Sequence, residues 1–461
     1  TLLYNDPKVS KKKRILRWVG GITAVAILVP SVYLLITGEI GNFDIIKASR
    51  ELDTTLKESE RLGLPMTAAD LEPNPPVPDA DNAALVVAPA ALTLPITKDI
   101  TLPFEVFLPG ADPAEREIAI NTLNTHRPTL KAIKEGLKRN QWYLARNWIE
   151  GVFVQFPEYA YYKCATRFLG TEAVRLAKED KPEEALSSLT AGRRLAKFCS
   201  SEPTMNGILV AIACEAMILR FAENLTEIWA QDDAKLNRLA EVLESTNFTI
   251  DPRDAFRTDF YMALNYTRNY DLYGGIRGLG GRSNYDPTSL RKAGPPRSIL
   301  AKATMTPVAK AWNEFFHKFG DKSTGPSEWG PFLRAKEDEF DNSDRASVIL
   351  GSALSFYIGD LDRSIAKQEL YPKLSLALIR AVQHRNRTGD FPRSLAEINI
   401  DSADPLSGDS LCYVIENEGI QIYSLGPDKV DNGGPLMRKN KAKAPDIGVV
   451  YPSSRRNKTK Q

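Results

Sequence analysis

The residue types that most often do chemistry in proteins are sparse and scattered in this sequence of 461 residues. The histidines and cysteines are His126, His317, His384, Cys164, Cys199, Cys214 and Cys412. No CxxC pair occurs, and this spacing argues against a zinc site or a Cys/His nucleophile pair. We also find no GxSxG or HExxH motif and no dinucleotide-binding loop. The sequence therefore names no catalytic residue, which favours a non-catalytic role and leaves an enzyme as the alternative.

Two of the cysteines could meet in the fold. Residues 161–179 and 182–198 both have helical patterns and are joined by the tight turn Asp180-Lys181-Pro182. In an antiparallel hairpin centred on this turn, Cys164 lies level with Cys199. Outside the cytoplasm such a pair can oxidise to a disulfide, whereas reduced cysteines pack as small apolar groups. Both interpretations fit the sequence.

Two further stretches have the composition of a site. Residues 274–282 read GGIRGLGGR, and a glycine-rich loop with two arginines can hold a phosphate through backbone N–H groups. The loop lacks the Lys-Ser/Thr ending of a P-loop and no strand clearly precedes it, so a surface loop is the favoured interpretation. The acidic run Glu337-Asp338-Glu339 fits a solvated helix face. Two carboxylates that converge in the folded chain would instead suit a glycosidase.

An apolar stretch near the start of the chain indicates where in the cell the protein lies. Residues 18–36, WVGGITAVAILVPSVYLLI, carry no charge and, at about 1.5 Å per residue, can cross a hydrocarbon core of roughly 30 Å. The basic residues that crowd its N-terminal side are Lys11, Lys12, Lys13, Arg14 and Arg17. This asymmetry predicts a single transmembrane helix with the N-terminus in the cytoplasm and the bulk of the chain outside it, which in a bacterium means an inner-membrane anchor and a periplasmic body. A cleaved signal peptide would need a shorter apolar run and a small-x-small cleavage site.

Composition sets further bounds. A hydrophobic fraction of 43% allows a sizeable core, and a formal net charge of +2 gives no global field that would favour nucleic acid. Beyond residue 36, only the end of the chain is basic, which fits a solvated tail or contact with lipid phosphate or an acidic partner. Because the sequence begins with Thr1 and not methionine, we expect it to be incomplete or processed.

Hydrophobic periodicity predicts a mainly α fold with a small C-terminal α+β domain. The predicted helices cover 43–62, 112–138, 140–150, 158–179, 182–199, 203–230, 232–246, an aromatic-rich stretch from 256, 344–368 and 374–387. A strand or two is expected between 82 and 107. The helical pair on either side of Pro182 resembles a tetratricopeptide-like hairpin, with Ala185, Ala191 and Gly192 small enough for close helix approach.

The predicted domain organisation follows from these elements and from a proline-rich break at residues 71–81. The predicted segments are a basic cytoplasmic lead (1–17), the transmembrane helix (18–36), a membrane-proximal helix and spacer (37–81), a helical body (82–250), an irregular helical extension (251–368), an α+β domain (369–451) and a basic tail (452–461).

The C-terminal segment has the most specific pattern. A helix ends at Gly389-Asp390-Phe391-Pro392, a capping box opens a short helical turn at Ser394, and residues 404–408 read DPLSG. Two strands follow at 411–415 and 420–424, then YSLGPD over 423–428, a Gly-Gly pair and Asp446-Ile447-Gly448. In order and spacing this segment resembles the globular domain of the major pseudopilin of type II secretion.

The resemblance implies a calcium site, because in that family the last loop wraps a calcium ion. By position it implies the side chains of Asp428 and Asp446 and the carbonyl of Leu425 as ligands, with Ser424, Val430 or Asp431 as further candidates. Calcium takes six to eight oxygens from carboxylates and carbonyls. A solvated Asp/Gly turn without an ion is the alternative. The basic residues between 438 and 443 weigh against a cation, because like charges repel.

A pseudopilin has its hydrophobic helix joined directly to this domain, whereas here more than three hundred residues intervene. The whole chain also resembles uncharacterised single-span envelope proteins of planctomycetes and related bacteria. We therefore expect a non-catalytic, membrane-anchored scaffold or interaction subunit of a secretion, pilus-like or other membrane assembly. Its expected partners are the lipid bilayer and other proteins, not nucleic acid. The alternative is a membrane-tethered hydrolase, or a ligand-binding protein, with its site in the helical body.

Overall fold

The computed structural model describes residues 42–96, 102–246, 248–270, 290–320, 325–341, 361–416, 419–436 and 446–458. The predicted transmembrane helix (18–36) and the glycine-rich loop (274–282) lie outside these residues. The described chain is mainly helical with one small sheet, as the periodicity predicts.

The elements have the following bounds in chain order. The helices are α1 (Asn42–Arg61), α2 (Ala84–Ala91), α3 (Pro113–Thr125), α4 (Arg127–Gly136), α5 (Glu158–Lys178), α6 (Pro182–Ser200), α7 (Met205–Ile228), α8 (Asp233–Ser245), α9 (Arg253–Arg268), α10 (Ile299–Phe319), α11 (Pro326–Asp341), α12 (Leu361–Thr388) and α13 (Arg455–Lys458). Short 3₁₀ turns occur at Ala68–Leu71, Trp148–Phe153 and Leu395–Ile398. The strands are β1 (Cys412–Glu416), β2 (Gly419–Ser424) and β3 (Ile447–Tyr451).

The chain divides into two compact units. Unit 1 comprises Thr1–Glu72, Arg146–Val154 and Phe256–Asp362, and unit 2 comprises Pro73–Ala145, Gln155–Ala255 and Arg363–Gln461. Most of the predicted helical body and all of the predicted C-terminal domain therefore belong to the same unit.

In unit 1, α1 packs along α10 through apolar and polar contacts. Leu52 and Leu56 are buried on one face of α1. On the same face, the Ser59 hydroxyl donates to Asn313 Oδ1 at 2.8 Å, and Asn313 Nδ2 donates to the Thr55 carbonyl at 3.0 Å. Aromatic rings fill the rest of this core, with Phe256 in edge contact with Phe315 at a centroid distance of 5.1 Å. The aromatic-rich helix predicted from residue 256 is thus confirmed as core.

In unit 2, helices α5, α6 and α7 pack together as the core. A Cβ atom on Gly170 of α5 would lie 1.9 Å from the Phe221 ring of α7, and one on Gly192 of α6 would lie 2.4 Å from Ile218 Cδ1. Any side chain at these glycines would push the helices apart. The predicted close approach at Gly192 is therefore confirmed.

Four local predictions are wrong. The break expected between the helices 344–368 and 374–387 is absent, because α12 runs from Leu361 to Thr388 with Pro372 inside it. The single helix expected over 112–138 is two helices, because the chain leaves helical geometry at His126 and Pro128 starts the second helix. Residues 140–150 form no α-helix; the 3₁₀ turn Trp148–Phe153 lies there, with Gly151 in a positive-φ conformation. In the described part of 82–107, the alanine-rich stretch forms helix α2 and no strand.

Helix α7 is, among the described residues, the one helix long and apolar enough to cross a membrane. Most of it is buried inside unit 2, and its polar residues Glu215 and Glu223 are fully enclosed. A core helix of a globular unit has the same length and composition, so α7 alone is weak evidence for a membrane span.

The C-terminal sheet is an antiparallel meander in the order β1-β2-β3. Cys412 pairs with Tyr423 and Glu416 with Gly419, which confirms the predicted hairpin. Strand β3 was not predicted; it pairs with β2, with Gly448 opposite Tyr423. A Cβ atom on Gly448 would lie 2.4 Å from Tyr423 Cβ, so the glycine lets the strands approach.

Candidate functional site

Asp446, one of the predicted calcium ligands, is buried and fixes the loop that follows β2. Its Oδ2 accepts the backbone N–H groups of Asn432 at 3.0 Å and Gly434 at 2.7 Å. Its Oδ1 accepts from the Asn432 side-chain amide at 3.4 Å. The carboxylate is therefore already satisfied by three N–H donors.

The other predicted ligands lie on the same loop. Ser424 is buried at the end of β2, and its Oγ accepts the Gly426 N–H at 3.0 Å. Asp428 is exposed, and its Oδ1 accepts the Val430 N–H at 3.3 Å. The Val430 carbonyl accepts from the Asn432 amide at 3.0 Å, and Leu425 is half-buried.

Asp431 completes the predicted ligand set. Its Oδ1 accepts the Gly433 N–H at 2.8 Å, and the Tyr423 hydroxyl donates to the same carboxylate at 3.4 Å. Burial of the Tyr423 ring, together with the charge of Asp431, raises the pKa of the phenol. The tyrosine therefore stays a hydrogen-bond donor at neutral pH.

The fit to calcium is mixed. The fold brings Asp431 and Asp446 into one loop, as the resemblance implies, but N–H donors already point at both carboxylates. No cluster of three or more His, Cys, Asp or Glu side chains suited to a metal ion occurs in the described ranges. Calcium also takes backbone carbonyl oxygens as ligands, and a cluster defined by side chains does not include them. The calcium site stays a prediction.

The cysteines are free thiols. Cys164 donates to the Pro95 carbonyl at 3.3 Å, and burial raises its pKa to about 11. Cys199 is fully buried, and its pKa is raised by burial and by the neighbouring thiol of Cys214. The neighbour of Cys199 is thus Cys214 on α7, and both Cys164 and Cys199 are present as reduced groups.

Two buried charge clusters hold unit 2 together. In the first, Arg193 of α6 donates to Glu215 of α7 through Nε at 3.0 Å and Nη2 at 2.6 Å, and both side chains are 0% exposed. Arg193 also donates to the Leu243 carbonyl and to Thr246 Oγ1 at the end of α8. This arginine therefore ties three helices together and supplies donors to a helix C-terminus.

The second cluster joins the C-terminal segment to the helical core. Glu223 of α7 accepts the Val450 N–H of β3 at 3.0 Å and the Arg456 Nε at 3.2 Å. Arg220 bridges Glu223 and Glu105 at 2.5 and 2.6 Å. Part of the predicted basic tail thus makes contacts inside unit 2, because the guanidinium of Arg456 is mostly enclosed against Glu223.

An open cavity of about 530 Å³ lies between α8, α12 and the turn Leu395–Ile398. Its lining residues are Asp233, Asn237, Arg380, Gln383, Arg387, Glu397, Ile398 and Asn399. On α12 the three polar residues are spaced three and four positions apart, so they share one helix face. Asp233 and Asn237 are four positions apart on α8 and face the cavity in the same way.

Hydrogen bonds across the cavity hold its walls in place. Gln383 Nε2 donates to Asn237 Oδ1 at 2.7 Å, and Arg380 Nη2 lies 3.1 Å from Glu244 Oε1. Asn386 Nδ2, behind the lining, donates to Asp233 Oδ1 at 2.7 Å. The third wall is set by Asn399, whose left-handed conformation (φ 55°) ends the 3₁₀ turn.

Several polar groups of the lining keep unused hydrogen-bonding capacity. Within the described part of the chain, the Arg387 guanidinium and the Asn399 side-chain amide have no partner. Asp233 Oδ2 is likewise free there, and Glu397 uses one oxygen to accept the Arg393 N–H at 2.9 Å. The cavity therefore offers both donors and acceptors to a bound molecule.

Sequence reasoning did not find this cavity. The i, i+3, i+7 spacing of Arg380, Gln383 and Arg387 is a visible signal, but such a stripe usually marks a solvated helix face. Only the fold brings it opposite Asp233 and Asn237, which are far away in the sequence.

Comparisons with protein-family models, curated proteins and solved structures found no match to this chain. The resemblance to pseudopilins therefore stays a prediction.

Proposed function

We propose that this protein is a non-catalytic, single-pass membrane-anchored envelope protein that acts as an interaction subunit of a secretion, pilus-like or other membrane assembly. The charge-free stretch 18–36, with five basic residues between positions 11 and 17, supports an inner-membrane anchor with the N-terminus in the cytoplasm. The remaining chain, including a tetratricopeptide-like helical hairpin and a pseudopilin-like C-terminal domain, would then lie in the periplasm.

The observation that carries the proposal is the attachment of the C-terminal segment to the helical core. Glu223 receives the Val450 N–H and the Arg456 guanidinium, and Glu227 accepts the Ser453 hydroxyl at 2.6 Å. A buried, fully paired charge cluster holds its neighbours in one arrangement. The sheet and the helices of unit 2 thus offer a fixed surface to other proteins.

Cell fractionation and cross-linking test this proposal together. The intact chain should stay in the membrane pellet after a high-salt wash and become accessible to protease only when the outer membrane is permeabilised. A photo-cross-linking residue at Ile415, half exposed on β1, should give specific cross-links to other subunits of a membrane assembly. The same residue at Ile422, fully buried on β2, is the matched control and should give none. Recovery of the chain in the cytosol, or no cross-link from Ile415, would contradict the proposal.

The cavity of unit 2 favours a second candidate, a ligand-binding protein or hydrolase with its site in the helical body. Asp233 and Glu397 are carboxylates that line it and could serve as an acid/base pair. For a hydrolase, Asp233→Asn and Glu397→Gln should abolish turnover while ligand binding persists. Binding without turnover in the unmodified chain would favour the binding protein.

A further inference from the structure

We propose that the cavity between α8, α12 and the turn Leu395–Ile398 is a binding site for a neutral, hydroxyl-rich ligand, a saccharide larger than one sugar ring. This proposal does not depend on the membrane anchor, because all lining residues belong to unit 2.

The charge of the lining argues for a neutral ligand. Two carboxylates, on Asp233 and Glu397, face two guanidinium groups, on Arg380 and Arg387. An inorganic phosphate drawn to the arginines would also meet both carboxylates, and a metal cation drawn to the carboxylates would meet both arginines. Since like charges at close range oppose binding, neither simple ion is favoured.

The hydrogen-bonding groups argue for hydroxyls. Arg387 and the Asn237 amide nitrogen can donate, Asp233 Oδ2 can accept, and the Asn399 amide can do both. A sugar hydroxyl donates one hydrogen bond and accepts others, so neighbouring hydroxyls can use such an alternating set. A ligand with only acceptors would leave the carboxylates unpaired at a cost in affinity.

Size and shape separate a saccharide from a zwitterionic amino acid, which would also match the charges. A volume of about 530 Å³ lies within the usual range for small-molecule sites, roughly 300–1,000 Å³. A single amino acid would fill only a fraction of this space. The cavity also opens to solvent, so a longer glycan could enter by one end and continue outside.

The rigidity of the walls fits a preformed site. Gln383 is fixed by Asn237, Arg380 by Glu244, and the α8 end of the cavity by the bond from Asn386 to Asp233. These contacts hold four of the lining side chains, those of Asp233, Asn237, Arg380 and Gln383, before any ligand arrives, which lowers the entropy lost on binding. Arg387 and Asn399 lie outside these contacts, so their whole side-chain polar groups are available to the ligand.

Isothermal titration calorimetry and saturation-transfer NMR on the full chain test the proposal. The neutral probes are N,N′-diacetylchitobiose, cellobiose and maltose; the charged probes are inorganic phosphate and glutamate. We expect at least one neutral disaccharide to bind and both charged probes to bind at least tenfold more weakly. Arg387→Ala and Asn399→Ala should each weaken saccharide binding by about tenfold or more, the effect of one lost charge-assisted or amide hydrogen bond in a site.

Arg393→Ala is the matched control. Arg393 is an exposed arginine close in sequence to the cavity, but its side chain does not line it, so saccharide affinity should be unchanged. The proposal is overturned if no neutral disaccharide binds at millimolar concentration, if phosphate or glutamate binds more tightly, or if saccharide affinity survives Arg387→Ala. A thermal melt of each variant shows whether it is still folded. A similar loss of saccharide affinity in Arg387→Ala and Asn399→Ala excludes a distortion confined to one position.

Discussion

Two polar clusters of unit 2 use the same side-chain types in opposite surroundings. Around Glu215, an arginine and a glutamate with 0% exposure are enclosed by helices, and Arg193 donates to Glu215 Oε1, the Leu243 carbonyl and Thr246 Oγ1. Glu215 Oε2 is the carboxylate oxygen that has no hydrogen-bond partner among the described residues. Around Arg387, arginines, carboxylates and amides line a cavity open to solvent, and several groups have no partner among the described residues. A sealed, paired cluster stabilises the fold, whereas an open one with unused donors and acceptors is available to a ligand.

The largest expected effect comes from breaking the sealed cluster. Arg193→Ala leaves the Glu215 carboxylate buried without its counter-ion and removes the donors to the end of α8, so we expect a loss of about 4 kcal/mol in unfolding free energy. Urea unfolding followed by circular dichroism measures it. Arg238→Ala, which removes an exposed pair with Glu183, is the control and should cost less than about 1 kcal/mol. If Arg193→Ala also lowered the unfolding free energy by less than about 1 kcal/mol, the cluster would not be sealed from solvent.

The second cluster should respond almost as strongly. Glu223→Ala leaves the Val450 N–H enclosed without an acceptor and the Arg456 guanidinium without its counter-ion, which we expect to cost about 3 kcal/mol. The C-terminal segment should also become the first part cut by a protease. Glu241→Ala, on the exposed face of α8, should leave both stability and the cleavage pattern unchanged. Equal protease resistance in both variants would show that other contacts attach the segment.

Unit 1 holds a third case, a half-buried carboxylate without a partner. Asp259 of α9 has no hydrogen-bond or ion-pair partner within the described ranges, and burial raises its pKa to about 8. Because the folded state holds this proton more tightly than the unfolded chain, where the pKa is about 3.9, stability falls as the pH rises from about 4 to about 8.

Asp259→Asn removes this pH dependence. At pH 8 the variant should be more stable than the parent by about 2 kcal/mol, less than the full shift implies because the side chain keeps some exposure. At pH 4 the two should be equal. Thermal melts at both pH values measure the difference, and Asp254→Asn, exposed on the same helix, should show no gain. A parent and variant that differ equally at both pH values would refute the assignment.

The sequence predicts the elements of this molecule better than its clusters. The N-cap Asp112, whose Oδ1 accepts the Ala114 N–H at 2.9 Å, and the β1–β2 hairpin are local signals that the structure confirms. The helix break at His126 was not predicted, because the helical spacing of apolar residues continues across it. The charge clusters and the cavity depend on residues far apart in the sequence, such as Arg193 with Glu215, 22 positions apart, and Glu223 with Arg456, 233 positions apart. No local pattern specifies such pairings.

The smallest expected effect distinguishes two roles for the acidic residues of the C-terminal loop. They either hold the loop by hydrogen bonds alone or also bind a calcium ion. If calcium binds there, free calcium at ten times its dissociation constant should stabilise the chain by about 1.4 kcal/mol, and a chelator should lower the melting temperature accordingly. Asp428→Ala should remove the response to chelator, whereas Asp409→Ala, an exposed acid paired with Lys429, should keep it. Asp446→Ala should destabilise the loop with or without chelator, because its carboxylate accepts the Asn432 and Gly434 N–H groups whether or not an ion is present. If the parent chain melts at the same temperature with and without chelator, calcium does not bind there and Asp446 only holds the loop by hydrogen bonds.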